Sequence, residues 1–274
     1  DKARWIMQGN APGRKLPFHD AGITGSGQTA QMSDTGLSVN SCYFYDSTGE
    51  VPRDKSKKVE IERRKVIQYY ARVSSEDENG HGTHCAGTIL GNICTGAKCE
   101  TNPVDSTPRD GTAPKAKIAV YDIGNAGRGL SPDDPDPMFV TGILAGATVH
   151  SASWGNDANN YQLRDRDHDK FQYENPDFLV VFAAGNSGGG NTKNSSSSVA
   201  KNNLNVCASM KKGTGEGDLY AASFSSMGPS KDGRIKPDIC APGRGVSSAD
   251  NGSSRQCKTV DYNGTSMACP GVAG

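Results

Sequence analysis

Short apolar runs set between polar, glycine-rich stretches give this chain its pattern. Lys117–Tyr121 reads as a short buried strand, and Phe178–Ala184 is an unbroken run of seven apolar residues. That length suits a strand buried on both faces better than a helix. Met138–His150 carries Val140, Ile143, Leu144, Ala147 and Val149 at a helical spacing mixed with small residues. Ser151–Gly155 reads as a strand ending in a loop, and Arg164–Tyr173 has helical composition. Strands alternating with helices imply right-handed crossovers. The expected fold is α/β: three layers, doubly wound, with a mostly parallel sheet. Such a sheet gathers its active groups at the carboxyl ends of strands.

Residues 47–78 are the most charged part of the chain, and within them Arg63–Tyr70 alternates as an exposed strand would. The charge run Lys55–Lys65 is interrupted by Glu60 and Glu62, which fits a solvated face rather than a nucleic-acid patch. Gln28–Ser33 is so polar that it is only a weak strand candidate, and Lys193–Ser198 reads as a polar loop. No internal repeat or linker divides the chain, so residues 1–274 are expected to form a single domain.

Thirty Lys and Arg balance thirty Asp and Glu, which advertises no polyanion-binding surface. Apolar residues make up only 34% of the chain, but balanced charge and their clustering into runs argue against disorder. No stretch nears the ~20 apolar residues of a membrane span, and the N-terminus lacks a signal-peptide pattern. Eight cysteines include Cys94 and Cys99, which could close a small ring. Connectivity of Cys42, Cys85, Cys207, Cys240, Cys257 and Cys269 stays open at this stage. None forms a CxxC pair, so no zinc site is expected. An oxidising compartment is favoured over the cytosol, and sequons at Asn194, Asn251 and Asn263 are compatible with it.

Three separated segments carry the chemistry: MSDTG at 32–36, NGHGTHCAG at 79–87 and NGTSMACPGVAG at 263–274. Singly, each has a bland reading. Asp34 could start a turn, His81 and His84 could be a loop and a core histidine, and Ser266 could cap a helix. Together they supply what nucleophilic catalysis requires. A hydroxyl needs an adjacent base, and the base needs a carboxylate to hold its tautomer. Each also sits beside glycines, which would let substrate backbone approach closely.

On these motifs the chain resembles the subtilisin-like (subtilase) serine proteases from about Gly25 to its last residue. Asp34 in SDTG resembles the family's orienting aspartate, His81 in HGTH its general base, and Ser266 in GTSMA its nucleophile. Asn186 in AAGN resembles the oxyanion donor, and Ser153-Trp154-Gly155 the strand lining the primary specificity pocket. GTAPKAKIAVYD (111–122), FSSMGP (224–229) and KPDICAPG (236–243) are further family-like phrases. The resemblance implies a serine endopeptidase acting through an acyl-enzyme, with polypeptide substrates and room for a propeptide. The cysteines and sequons favour a secreted protein or one in the secretory-pathway lumen. A catalytically inactive, protease-like binding domain is the alternative, and a Ser-Glu-Asp peptidase is opposed by His81 and Asn186.

No cofactor is required for such catalysis. Structural calcium is compatible with the resemblance, but no ligands are assignable. Asp165, Asp167 and Asp169 alternate without the glycine of an EF-hand loop and read as a solvated helix face, while Asp133, Asp134 and Asp136 read as an acidic turn. Cys85, four residues after His81, is expected as a small buried thiol one helical turn from the base. SWG is followed by Asn156-Asp157-Ala158-Asn159 rather than a dense acidic cluster, which argues against strict dibasic specificity. Only eight residues follow Ser266, and the peptidase domain is expected to be C-terminally incomplete and inactive on its own.

Overall fold

A computed structural model describes residues 3–9, 15–94, 110–125, 129–155, 158–188, 199–210, 220–252 and 257–274. In chain order its elements begin with α1 (Arg4–Met7), α2 (Pro17–Asp20), β1 (Thr29–Asp34), β2 (Val66–Ala71), α3 (His81–Leu90) and β3 (Lys117–Asp122). They continue with α4 (Pro135–Leu144), β4 (Val149–Ala152), α5 (Leu163–Glu174), β5 (Leu179–Ala183) and β6 (Leu204–Ser209). The last are β7 (Ile239–Pro242), β8 (Val246–Ala249), β9 (Thr259–Tyr262) and α6 (Thr265–Ala273).

Seven strands form one sheet in the order β2-β3-β1-β4-β5-β6-β7, and every pairing in it is parallel. After β1 the chain first crosses to the edge strand β2, comes back to place β3 between β2 and β1, then adds β4 on the other side of β1. Asp34 therefore ends the strand at which the winding reverses, where open α/β sheets place their sites. Helices α4 and α5 cover one face around Met138, Phe139, Phe171 and Phe178. Helices α3 and α6 cover the other, around Cys85, Ile89 and Met267 for α3 and Ala268 and Cys269 for α6. Strands β8 and β9 form a separate antiparallel hairpin packed on α3. The doubly wound, three-layer expectation holds.

Several local expectations change. Polar Gln28–Ser33, a weak strand candidate, supplies most of β1, the strand between β3 and β4. Its side chains are paired inside: Gln31 with Met138 O and His150, Ser33 with His150 and Trp154. The predicted helix Met138–His150 begins earlier and ends at Leu144, because Gly146 turns the chain at φ 79° and Val149 and His150 enter β4. The strand predicted at Ser151–Gly155 accordingly stops at Ala152. Strand β2 lies at the sheet edge but is buried rather than exposed. Lys65 beside it is buried too, its ammonium donating to Leu90 O (2.7 Å), Ala116 O (3.0 Å) and Pro114 O. Nor is the acidic face of α5 simply solvated. Asp165 is fully buried and accepts from Gln162 N as half of a capping box.

Disulfides join Cys42 to Cys257 and Cys207 to Cys240, leaving Cys85 and Cys269 as buried free thiols. The first ties the segment after β1 to the start of the β8–β9 hairpin's second strand. The second links directly paired residues of β6 and β7. The Cys94–Cys99 ring, the Lys193–Ser198 loop, the Asn194 sequon and Asn156-Asp157 fall wholly or partly outside the described residues.

His84, His150 and His168 are buried among packed neighbours. Burial lowers their pKa values to about 4, 3 and 4, against 6.5 for a free ring. Below 6.5 the unfolded chain therefore binds more protons than the folded one. The contribution of these three rings to folding stability should be complete above that pH and decline as pH falls toward 4, by roughly 1–3 kcal/mol per ring. Urea melts at pH 7 and pH 4.5 of wild type and His168→Gln check this, the variant losing one ring's share of the decline.

Candidate active site

Asp34 is fully buried at the end of β1, and its Oδ1 receives Thr35 N–H at 2.7 Å. The same oxygen lies 2.7 Å from His81 Nδ1. A carboxylate partner makes Nδ1 the protonated nitrogen and leaves Nε2 free to act as a base. His81 is the first residue of α3, as expected, and its side chain is 26% exposed beside the sealed aspartate.

Two residues that sequence reasoning did not single out fix this end of α3. Asp77 accepts from Thr83 N (2.8 Å), Thr83 Oγ1 (2.6 Å), Gly80 N (2.8 Å), Asn79 N (3.2 Å) and Thr35 Oγ1 (2.9 Å). Thr35 Oγ1 in turn accepts from Gly82 N at 2.9 Å. Side chains thereby satisfy open N–H groups of the first helical turn, as a cap does. Thr35 was within reach of the SDTG motif. Asp77 sits in the acidic run Glu76-Asp77-Glu78, which nothing in the sequence resolves.

Two glycines near the Asp34–His81 pair, Gly36 and Gly82, are required by close packing. A Cβ on Gly82 would collide with the Gly36 carbonyl. Gly36, at φ 110°, has Asp122 Oδ2, Tyr69 OH and Glu76 O each 2.9 Å from where a Cβ would stand. They let the β1 loop and α3 close on each other, which brings Asp34 to His81.

Ser266 is the second residue of α6, past an N-cap formed by Gly264, so it is not the helix cap. Its hydroxyl donates to Ser153 O at 3.1 Å, rather than to His81. Ser153 Oγ returns a bond to Ser266 O at 3.0 Å. Cys85 Sγ lies 3.4 Å from Ser266 O and 3.8 Å from His81 Nδ1, so one buried thiol touches both residues. Nucleophile–base bonds often tighten only when substrate is bound.

Asn186 follows β5 and is exposed. Thr265 N and Thr265 Oγ1 both donate to its Oδ1, at 2.9 and 3.1 Å. A backbone N–H identifies that atom as oxygen, which leaves the NH2 group as the presented donor. Trp154 Nε1 bonds Ser33 O and Oγ at 3.0 Å each, with its ring edge-on to Phe182. The structure thus gathers Asp34, His81, Ser266, Ser153 and Trp154 along one edge, with Asn186 joined through Thr265. Gly155 continues the same segment.

Burial opposes a charged His81, but the Asp34 carboxylate outweighs it and holds the ring's pKa well above 6.5. Burial likewise lifts Asp122, paired in register with Asp34, to about 7 against bonds from Tyr69 and Gly124 N. Among the described residues, the metal-capable group of three is Asp34, His81 and Cys85, with donor atoms within 4.8 Å of one another. An open cleft of about 300 Å³ is lined by Thr35, the residue after Asp34, with Glu76, Glu78, Asn79, Gly124 and Asn125 among others.

Residues 25–274 match the model of the subtilase family. The serine protease/ABC transporter B family protein tagD of Dictyostelium discoideum is 28% identical over 92% of this chain. This chain spans only 18% of that protein and 17% of its counterpart tagB. Subtilisin BL of Lederbergia lenta is 30% identical over 93% of the chain and 77% of its own length. Among solved structures, Sphericase superposes with a TM-score of 0.66 at 25% identity, covering 91% of this chain and 75% of its own.

Replacing Asp34 by Asn would remove the largest influence that raises the His81 pKa. The imidazole should then titrate lower than in the wild type, as followed by its ring C–H resonances in NMR. A mercurial that reaches Cys85 is expected to displace His81 and block the site. Cys85→Ser should abolish that sensitivity, and peptide mapping should find Cys85 unbridged.

Proposed function

Because the chain belongs to the subtilase family, we propose that it is a serine endopeptidase working through Asp34, His81 and Ser266. The observation that carries this reading is the 2.7 Å contact between buried Asp34 and the first residue of α3, with Ser266 held alongside through Ser153 and Cys85. In the first step the Ser266 hydroxyl turns from Ser153 O toward His81 Nε2. His81 takes its proton as Oγ attacks the peptide carbonyl carbon. The carbonyl oxygen becomes an oxyanion and is met by the Asn186 NH2 group and backbone N–H. Collapse breaks the C–N bond, with His81 returning the proton to the departing amine. Water then repeats the sequence on the acyl-enzyme, and Asp34 stabilises the transient imidazolium throughout.

The substrate backbone is expected to lie extended along Ser153–Gly155, a strand-addition mode. This chemistry uses side chains and backbone alone and calls for no cofactor. Disulfides and secreted subtilisin relatives support an extracellular or secretory setting. No helix among the described residues is long and apolar enough to cross a membrane.

On the scale known for subtilisin's own triad, Ser266→Ala or His81→Ala in the full-length protein should lower kcat about 10⁶-fold. Asn186→Ala should cost about 10²–10³-fold with KM little changed. Peptide-anilide turnover and fluorophosphonate labelling of Ser266 measure both. Substantial activity in Ser266→Ala would refute the assignment.

A further inference from the structure

Behind the active edge lies a second serine–histidine pair, Ser33 and His150, bonded at 2.8 Å. Both side chains are fully buried. The histidine's other nitrogen meets an amide, Gln31 Oε1 at 2.8 Å, where a nucleophilic site would need a carboxylate. Sealed from substrate, the pair is placed to hold structure rather than to transfer a proton.

The direction of every bond follows from one end. Met138 O can only accept, so the Gln31 group 2.7 Å from it is the NH2. Gln31 Oε1 then faces His150 Nδ1, which must carry the ring proton. His150 Nε2 is left as an acceptor, and the Ser33 hydroxyl donates to it. Ser33 Oγ still has a lone pair, and Trp154 Nε1–H points to it and to Ser33 O, at 3.0 Å each. The chain of donors therefore runs from Trp154 through Ser33, His150 and Gln31 to a carbonyl of α4, with no group able to reverse alone. Gly142 of α4 makes room for it, since a Cβ there would collide with Gln31. Phe139 closes the chamber edge-on to the His150 ring at 4.8 Å.

We propose that Ser33 and His150 are positioning residues that lock Trp154, and through it the Ser153–Gly155 segment, to the end of β1 that carries Asp34. The inference rests on the endopeptidase reading above. Trp154 lies between Ser153, whose carbonyl and hydroxyl both touch Ser266, and Gly155. Without the Ser33 hydroxyl the indole keeps only its bond to Ser33 O, and the segment along which an extended substrate pairs is held less firmly. The loss falls on substrates long enough to use that segment. An acetate ester, with neither a side chain for the pocket nor a backbone to pair along the segment, depends on Asp34, His81 and Ser266, and is spared.

The test compares kcat and KM for a tetrapeptide anilide and p-nitrophenyl acetate in the full-length wild type, Ser33→Ala, Ser33→Cys and Ser33→Thr. In Ser33→Ala, kcat/KM should fall about 10-fold on the tetrapeptide and less than threefold on the acetate ester, in keeping with a misplaced binding strand. Ser33→Thr keeps the hydroxyl and suits a strand, so it should restore the tetrapeptide rate. If Ser33→Ala does not fold, Ser33→Cys carries the comparison, since a thiol fills the same place but is a weak donor and acceptor. Equal losses on both substrates, or no loss, overturn the proposal. A wild type inactive on both would instead overturn the endopeptidase reading.

Discussion

Strand β1 lies between β3 and β4 while carrying Gln31 and Ser33 into an interior where an unpaired polar group costs roughly 1–3 kcal/mol. Its placement is therefore conditional on partners. Met138 O, both nitrogens of His150 and the Trp154 indole supply them, drawn from α4, β4 and the segment beyond β4. Asp34 is the next residue after Ser33. Whatever fixes the polar side chains of β1 also fixes where the carboxylate meets His81.

That carboxylate sits in an unusually acidic neighbourhood. Asp34, Asp77 and Asp122 are all buried near the carboxyl ends of β1 and β3. Each is matched to its own donors: His81 and Thr35 for Asp34, the start of α3 for Asp77, Tyr69 and Gly124 N for Asp122. Burial holds Asp122 at about 7, so near neutrality it carries a proton for part of the time. That proton lessens the repulsion among three buried carboxyl groups in a low dielectric.

The sequence made the architecture and the chemical groups legible, for identifiable reasons. Strands β3 and β5 are short apolar runs bounded by turns, a signal that needs no partner to be read. SDTG, HGTH, GTSMA and AAGN pack several constraints into four or five residues each, and their order carries the rest. What failed to show was anything whose stability depends on a distant side chain. Gln28–Ser33 is only a weak strand candidate until His150 and Met138, more than a hundred residues away, are brought to it. Lys65 looks solvated until three carbonyls close around it. Asp77 is one acid among three until α3 is laid on top. The helix over 138–150 was overextended because its small residues fit a helix and a turn equally well, and Gly146 decided between them.

The same dependence explains why the site joins two halves of the molecule. Asp34 and His81 belong to the packing of β1 with α3, whereas Ser266 and Asn186 belong to β5 and α6. Few bonds cross between them: Cys85 to both His81 and Ser266, Ser153 to Ser266, and Trp154 back to Ser33. Burial lifts the Cys85 thiol pKa, so it stays a small neutral filler beside His81. Ser153 and Trp154 are adjacent in the chain, so one tripeptide touches Ser266 on one side and the strand that carries Asp34 on the other. Ser33 and His150, though sealed in the interior, therefore bear on where that tripeptide lies.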